Sequence, residues 1–173
     1  MSNNPSISII VPVLNEEGSL DIFYKEISNA LKGYREWEIF FIDDGSDDNS
    51  NKIIRSLADD DNRITLIQFF KNFGKADAIS EGFKYANGDI VITIDADLQD
   101  DPAEIPRLIE KVQESWDVVS GWKKDRKDPA SKRIPSKLFN FVTRMLTGIK
   151  IHDFNCGLKA YRKKVVKAVE IYG

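Results

Sequence analysis

Asp95 and Asp97 stand one residue apart at the end of the apolar run Ile90-Val91-Ile92-Thr93-Ile94, and Leu98-Gln99-Asp100 follows them. A buried strand that delivers two carboxylates to its exit edge can hold a cation. Hard divalent ions take oxygen ligands, and Mg²⁺ commonly uses one or two carboxylates and leaves its other positions to phosphates and water. The segment therefore fits a metal–diphosphate site at the carboxyl end of a parallel strand. Aspartate is equally favoured in turns and at helix starts, so the same pair could simply cap the next helix. On this segment alone both readings stand.

The elements that position the pair follow from periodicity. Apolar runs predict strands over Ile7–Val13, Trp37–Ile42, Ile64–Phe69, Ile90–Ile94 and Asp117–Ser120. Amphipathic spacing predicts helices over Ser19–Leu31, Asn49–Leu57, Lys75–Ala86 and Pro102–Glu114. In the first of these, Leu20, Phe23, Tyr24, Ile27 and Leu31 recur at helical spacing. Repeated strand–helix units with short connections predict an α/β fold, a mostly parallel sheet with helices on both faces. In such sheets ligands bind beyond the carboxyl ends of the strands. The polar clusters fall there: Pro12-Val13-Leu14-Asn15-Glu16-Glu17, Asp43-Asp44-Gly45-Ser46, Lys71-Asn72-Phe73-Gly74-Lys75 and Asp95-Ala96-Asp97. Each has a plain alternative: Asn15 as a cap, Asp43-Asp44-Gly45-Ser46 as a turn, Gly74 as a residue of unusual backbone angle. Four clusters on one edge need four coincidences to be unrelated, and one cause to be a site.

The chain has 173 residues, enough for one domain with a sizeable core. No apolar run approaches the ~20 residues that cross a bilayer. The start, Met1-Ser2-Asn3-Asn4-Pro5, has no basic and apolar signal-peptide pattern. A single cysteine, Cys156, excludes an internal disulfide, and it reads as a small packed residue rather than a nucleophile. The formal net charge of −3 hides a split. Residues 1–120 carry 11 Lys/Arg against 24 Asp/Glu, and residues 121–173 carry 14 against 4. The acidic part suits a cation; the basic segment suits an anionic partner or an anionic membrane surface. Within it, residues 121–134 read as a basic loop interrupted by Pro129. Ser136–Thr147 reads as an amphipathic helix, either core-facing or on a membrane surface.

The ordered segments Ile9-Ile10-Val11-Pro12-Val13-Leu14-Asn15-Glu16, Asp43-Asp44-Gly45-Ser46-Asp47, Asn72-Phe73-Gly74-Lys75 and Asp95-Ala96-Asp97-Leu98-Gln99-Asp100 resemble the family 2 inverting glycosyltransferases of GT-A fold. With Asp153-Phe154-Asn155-Cys156-Gly157-Leu158-Lys159-Ala160-Tyr161, the chain is similar to their polyprenyl-phosphate branch, the dolichol-phosphate mannose synthases and bactoprenol glucosyltransferases. The resemblance covers about the whole chain as a single catalytic domain. It implies a nucleotide-sugar and metal half over 1–120 and an acceptor- and membrane-facing segment over 121–173. Pro12, Val13, Asn15 and Glu16, with Asp43 and Asp44, would hold the nucleotide base and ribose. Asn72, Gly74 and Lys75 would line the same pocket, with Asp95 and Ala96. Asp95, Asp97 and Gln99 are the implied metal set for Mg²⁺ or Mn²⁺, with Asp97 and Gln99 ahead as direct ligands. Arg126 and Arg133 lie where the family places acceptor-phosphate contacts, with Lys127, Lys132 and Ser136 as rivals.

The resemblance implies transfer of a hexose from a UDP- or GDP-sugar to a polyprenyl phosphate at the cytoplasmic face of a membrane. The acceptor oxygen is already ionised near neutral pH, so positioning and charge neutralisation matter more than a strong base. Arginine suits that task through its forked donors. Attack from the side opposite the nucleotide inverts the anomeric centre. With a soluble or polysaccharide hydroxyl acceptor a base is required, and Asp153 is then the candidate. An inactive nucleotide-binding or membrane-adaptor domain is a third reading. A phosphoacceptor signalling module is a fourth, although its acidic pair should follow the first strand. Nucleic acid is not an expected partner; a homo-oligomer is left open. Relatives of this layout often continue into transmembrane helices, so the ending Ile171-Tyr172-Gly173 reads as a truncated form.

Overall fold

A computed structural model describes residues 4–122 and 156–168. The elements, in chain order, are β1 (Ile7–Val13), α1 (Leu20–Ala30), β2 (Trp37–Asp43), α2 (Ser50–Asp60), β3 (Ile64–Gln68), α3 (Lys75–Tyr85), β4 (Ile90–Thr93), a 3₁₀ turn (Pro102–Glu104) running into α4 (Ile105–Gln113), β5 (Val118–Ser120), β6 (Lys159–Arg162) and α5 (Lys163–Val166). They build a six-stranded sheet in the order β3-β2-β1-β4-β6-β5. β1 pairs in parallel with β2 and β4, and β2 in parallel with β3. β6 runs antiparallel to both β4 and β5.

The central strands form because their side chains are apolar on both faces and both faces are covered. Ile7, Ile9, Val11 and Val13 of β1 point to one layer, packing with Leu20, Phe23 and Ile27 of α1, Ile54 of α2 and Ile105, Leu108, Ile109 and Val112 of α4. Ile10, Phe40, Ile42 and Val91 point to the other, against Ala78 and Phe83 of α3 and Val166 of α5. Helices thus cover both faces, as the βα alternation predicts. Pro102 sits in the first turn of its helical segment, where a missing N–H costs nothing, and Asp101 caps it by accepting from the Ala103 N–H at 2.9 Å.

Far from the strand exits, Asp61 clamps α1 to the start of β3. Its carboxylate takes the Tyr24 hydroxyl and a forked contact from Arg63, whose guanidinium also lies 3.8 Å from the Trp37 ring centre. Hydrogen bonds from the Arg63 side chain, then from the Tyr24 hydroxyl and the Arg63 N–H, together with the Arg63 charge, hold the Asp61 carboxyl well below the usual carboxylate range against the opposing effect of burial.

Two expectations change. β6 is a strand that periodicity does not reveal: Lys-Ala-Tyr-Arg is short and polar, and its place between β4 and β5 comes from pairing rather than pattern. The sheet is consequently mixed at one side. α2 runs three residues beyond Leu57, to Asp60. Most of the basic loop and the whole Ser136–Thr147 segment lie outside the described residues. Among the described residues no helix is long and apolar enough to cross a membrane.

Candidate functional site

The sheet order reverses at β1. The chain winds β1 to β2 to β3 in one direction, then returns to place β4 on the other side of β1. At such a switch point the loops leaving neighbouring strands diverge and open a crevice. A cavity of about 380 Å³ lies there, lined by Pro12, Val13, Leu14, Glu16, Asp44, Asn72, Gly74, Lys75, Asp95, Ala96 and Asp97. All four strand-end clusters contribute to one wall. Asn15, Asp43 and Gln99 do not reach it. Leu14, not singled out as a contact in the sequence, does.

Asn15 and Asp43 serve the loops behind the wall. Asn15 has φ 58°, a left-handed conformation that asparagine tolerates. Its Oδ1 accepts from the Asp47 N–H (3.0 Å), and its own N–H donates to Ser46 Oγ (3.0 Å). The Glu16 N–H donates to Ser50 Oγ at 2.8 Å, and the Glu17 N–H to Asp48 Oδ2 at 3.1 Å. The β1–α1 and β2–α2 loops are therefore laced together residue by residue. Asp43 is wholly buried, accepting from the Ser46 N–H (2.9 Å) and Asn51 Nδ2 (3.1 Å). Its carboxylate closes the turn.

Asp44 faces the cavity and orders a third loop. Its two oxygens accept from the Phe73 N–H (2.7 Å) and the Gly74 N–H (2.9 Å). Gly45 permits that approach: at φ +78° a Cβ there would lie 2.6 Å from the Lys71 carbonyl carbon. Gly74 has φ +106° and leads into α3. The first helical residue, Lys75, extends its ammonium to Asp95, 2.6 Å from Oδ1 and 2.7 Å from Oδ2.

Asp97 Oδ1 accepts from the Gln99 N–H at 3.0 Å, and Leu98 between them has φ 58°. A leucine in that region is strained, and the strain lies inside the acidic loop itself. Gln99 is exposed. Glu16 completes the acidic lining. Burial raises its carboxyl above its ordinary 4.5; the Asp97, Asp95 and Asp48 charges push the same way, against a lowering hydrogen bond from Ser19. Three carboxylates therefore share one field, and Lys75 pairs with one of them, Asp95. Among the described residues no three His, Cys, Asp or Glu side chains converge as a preformed metal cage. The donor set fits an ion that takes one or two carboxylates and completes its shell from phosphate and water. The Lys75 ammonium on Asp95 shows that this carboxylate already accepts a cation. Asp97 and Asp95 would hold the ion.

The approach to β6 closes the back of the site. Thr93 Oγ1 donates to the Gly157 carbonyl at 2.9 Å, and Gly157 packs against Asp95 and Asp100. Cys156 is buried with Sγ 3.7 Å from Asp100 Oδ1, consistent with a packed residue. Gly157 carries no signal of this role in sequence because its contribution is a missing side chain. Arg126, Arg133 and Asp153 lie outside the described residues.

The Glycosyl transferase family 2 profile matches residues 8–170. Among similar proteins, the undecaprenyl-phosphate 4-deoxy-4-formamido-L-arabinose transferase of Shewanella sediminis (strain HAW-EB3) is 42% identical over 165 residues, covering 94% of this chain and 50% of that protein. The protein of the same name from Pseudomonas aeruginosa (strain LESB58) is 39% identical over 165 residues, covering 94% and 49%. The chain spans about half the length of these relatives. Among solved structures, a mannosyltransferase from Pyrobaculum calidifontis in complex with GDP-Man and Mn²⁺ superposes with a TM-score of 0.75 at 20% identity, covering 99% of this chain and 48% of that one. Glucosyl-3-phosphoglycerate synthase from Mycobacterium tuberculosis, in complex with Mn²⁺, UDP and phosphoglyceric acid, superposes with a TM-score of 0.70 at 22% identity, covering 93% and 57%. The shared architecture is the GT-A fold, and with 163 of its residues inside the matched profile this chain belongs to glycosyl transferase family 2.

Proposed function

We propose that this chain is the catalytic domain of an inverting glycosyltransferase that moves a sugar from a UDP- or GDP-sugar to a polyprenyl phosphate, using Mg²⁺ or Mn²⁺. The observation that carries this reading is the convergence of four strand-end loops on one cavity walled by Asp95, Asp97 and Lys75. The names of the undecaprenyl-phosphate sugar transferases support the acceptor class. The nucleotide and Mn²⁺ complexes of the structural neighbours support the donor and the ion. The sequence resemblance implies a hexose, whereas the relatives' names carry a five-carbon arabinose derivative, so both classes belong in a donor screen.

Each part of the wall has a task in this reading. The laced Pro12–Glu16 loop and Asp44 shape the base and ribose end, with Asn72 and Gly74 beside them. Asp97, with Asp95, holds the divalent ion; Gln99 is the further ligand implied by the resemblance. The ion, when bound, offsets charge growing on the leaving diphosphate. Arg126 and Arg133 neutralise and orient the acceptor phosphate on the far side of the sugar. The basic segment 121–173 faces anionic headgroups on the cytoplasmic side of the membrane.

A thermal-shift screen of UDP- and GDP-linked hexoses and pentoses, with and without Mn²⁺, tests the reading. A ligand of the native state raises the melting temperature by mass action. The expected result is a shift with one nucleotide that grows with Mn²⁺; no shift with any donor refutes it. Arg133→Ala should weaken acceptor use more than donor binding, and equal loss of both removes Arg133 from the acceptor role.

A further inference from the structure

We propose that Lys75 is a positioning residue that occupies Asp95 before any divalent ion arrives and so ties metal loading to nucleotide loading. The inference rests on the functional reading above and adds an order of assembly to it.

The Lys75 ammonium bridges both Asp95 oxygens, at 2.6 and 2.7 Å, and both residues line the cavity. The pair is preset from both sides. Lys75 starts α3, whose entry is pinned by the two Asp44 hydrogen bonds to Phe73 and Gly74. Asp95 is backed by Gly157. The pair is also exchangeable: the Lys75 side chain is 51% exposed and the Asp95 side chain 25%, so solvent reaches it from the cavity.

A divalent ion and an ammonium cannot both sit on one carboxylate without repelling each other. In the free protein the ion therefore meets an Asp95 that already has a cation. A nucleotide diphosphate brings a second anion into the same cavity and offers the ammonium a new partner. Lys75 then leaves Asp95, and the ion takes its place beside Asp97. Because coupling between binding sites is reciprocal, the ion in turn favours the nucleotide. Neutralising Lys75 should thus help the ion when it binds alone and reduce the help that nucleotide gives it.

The test is Mn²⁺ affinity by EPR titration, with and without UDP or GDP, in the parent chain and in Lys75→Met. The expected result is about tenfold tighter Mn²⁺ binding by Lys75→Met without nucleotide, and a smaller nucleotide-induced gain than in the parent. Equal or weaker Mn²⁺ binding by the variant overturns the proposal. Adding Asp95→Asn to Lys75→Met should cancel the gain; a gain that persists also overturns it, since Asp95 is then not the contested ligand. Lys75→Gln makes the same measurement if the methionine variant does not fold. Absence of Mn²⁺ binding to the parent even with nucleotide refutes the functional reading itself and this proposal with it, whereas nucleotide-dependent binding with no Lys75 effect refutes this proposal alone.

Discussion

Gly157 makes room for Asp95: a Cβ on Gly157 would lie 2.7 Å from Asp95 Cγ and closer still to Oδ2, with Asp100 Oδ2 at 3.1 Å. The first aspartate of the acidic pair is thus seated by a glycine 62 residues away in sequence. Gly157→Ala should destabilise the protein by about 1–3 kcal/mol through overpacking. It should also weaken Mn²⁺-dependent nucleotide binding, because Asp95 must turn off its seat. Denaturant unfolding and calorimetry measure the two effects. A variant with normal binding would show that Asp95 adjusts without consequence.

Asp97→Ala should leave the melting temperature close to the parent's and lower transfer about 100-fold or more, the scale of losing an electrostatic contact to developing charge. Among the described residues, the hydrogen bond that Asp97 Oδ1 takes from the Gln99 N–H lies in an exposed loop, so the fold depends little on it. Steady-state kinetics beside a thermal melt checks both halves.

Asp43 and Asp44 should separate on substitution. Asp44→Ala leaves the Phe73 and Gly74 N–H groups without their acceptor, which should cost about 2–4 kcal/mol and loosen the Asn72–Lys75 wall. Nucleotide affinity should fall with it, and the two amides should exchange faster with deuterium. Asp43→Ala should also destabilise, through the Ser46 and Asn51 contacts, with a smaller effect on nucleotide binding because Asp43 is off the cavity wall.

Glu16→Gln should stabilise the free protein at neutral pH. The folded state raises this carboxyl above its ordinary 4.5, so between 4.5 and the raised value the native state holds more proton than the unfolded state. Stability contributed by Glu16 is then full below 4.5 and declines as pH rises. The gain from Glu16→Gln should vanish in acid and reach its maximum above the raised value. Melting curves from pH 4 to 8 measure it; an equal gain at both ends would assign the effect to something other than charge.

Strand exits are legible in the sequence because a parallel strand covered on both faces is a continuous apolar run, and it stops where polar residues begin. Ile7–Val13, Trp37–Ile42 and Ile90–Ile94 mark themselves in this way, and with them the clusters that contain Glu16, Asp44 and Asp97. β6 does not, since Lys159–Arg162 owes its strand to the partners on either side.

Residue types and order by themselves determined the family, the fold class and which four loops face the ligand edge. Only the tertiary structure decided which member of each cluster reaches the cavity. Side chains on a strand alternate in direction, so Asp43 is spent inside its turn while its neighbour Asp44 serves the wall. Lys75 meets Asp95 across 20 residues, and Gly157 meets it across 62, through the order in which parallel strands are laid side by side. Those contacts depend on distances in space that no local pattern encodes, which is why the acidic pair and Lys75 were readable from the chain as site residues and the meeting of Lys75 and Gly157 at Asp95 was not.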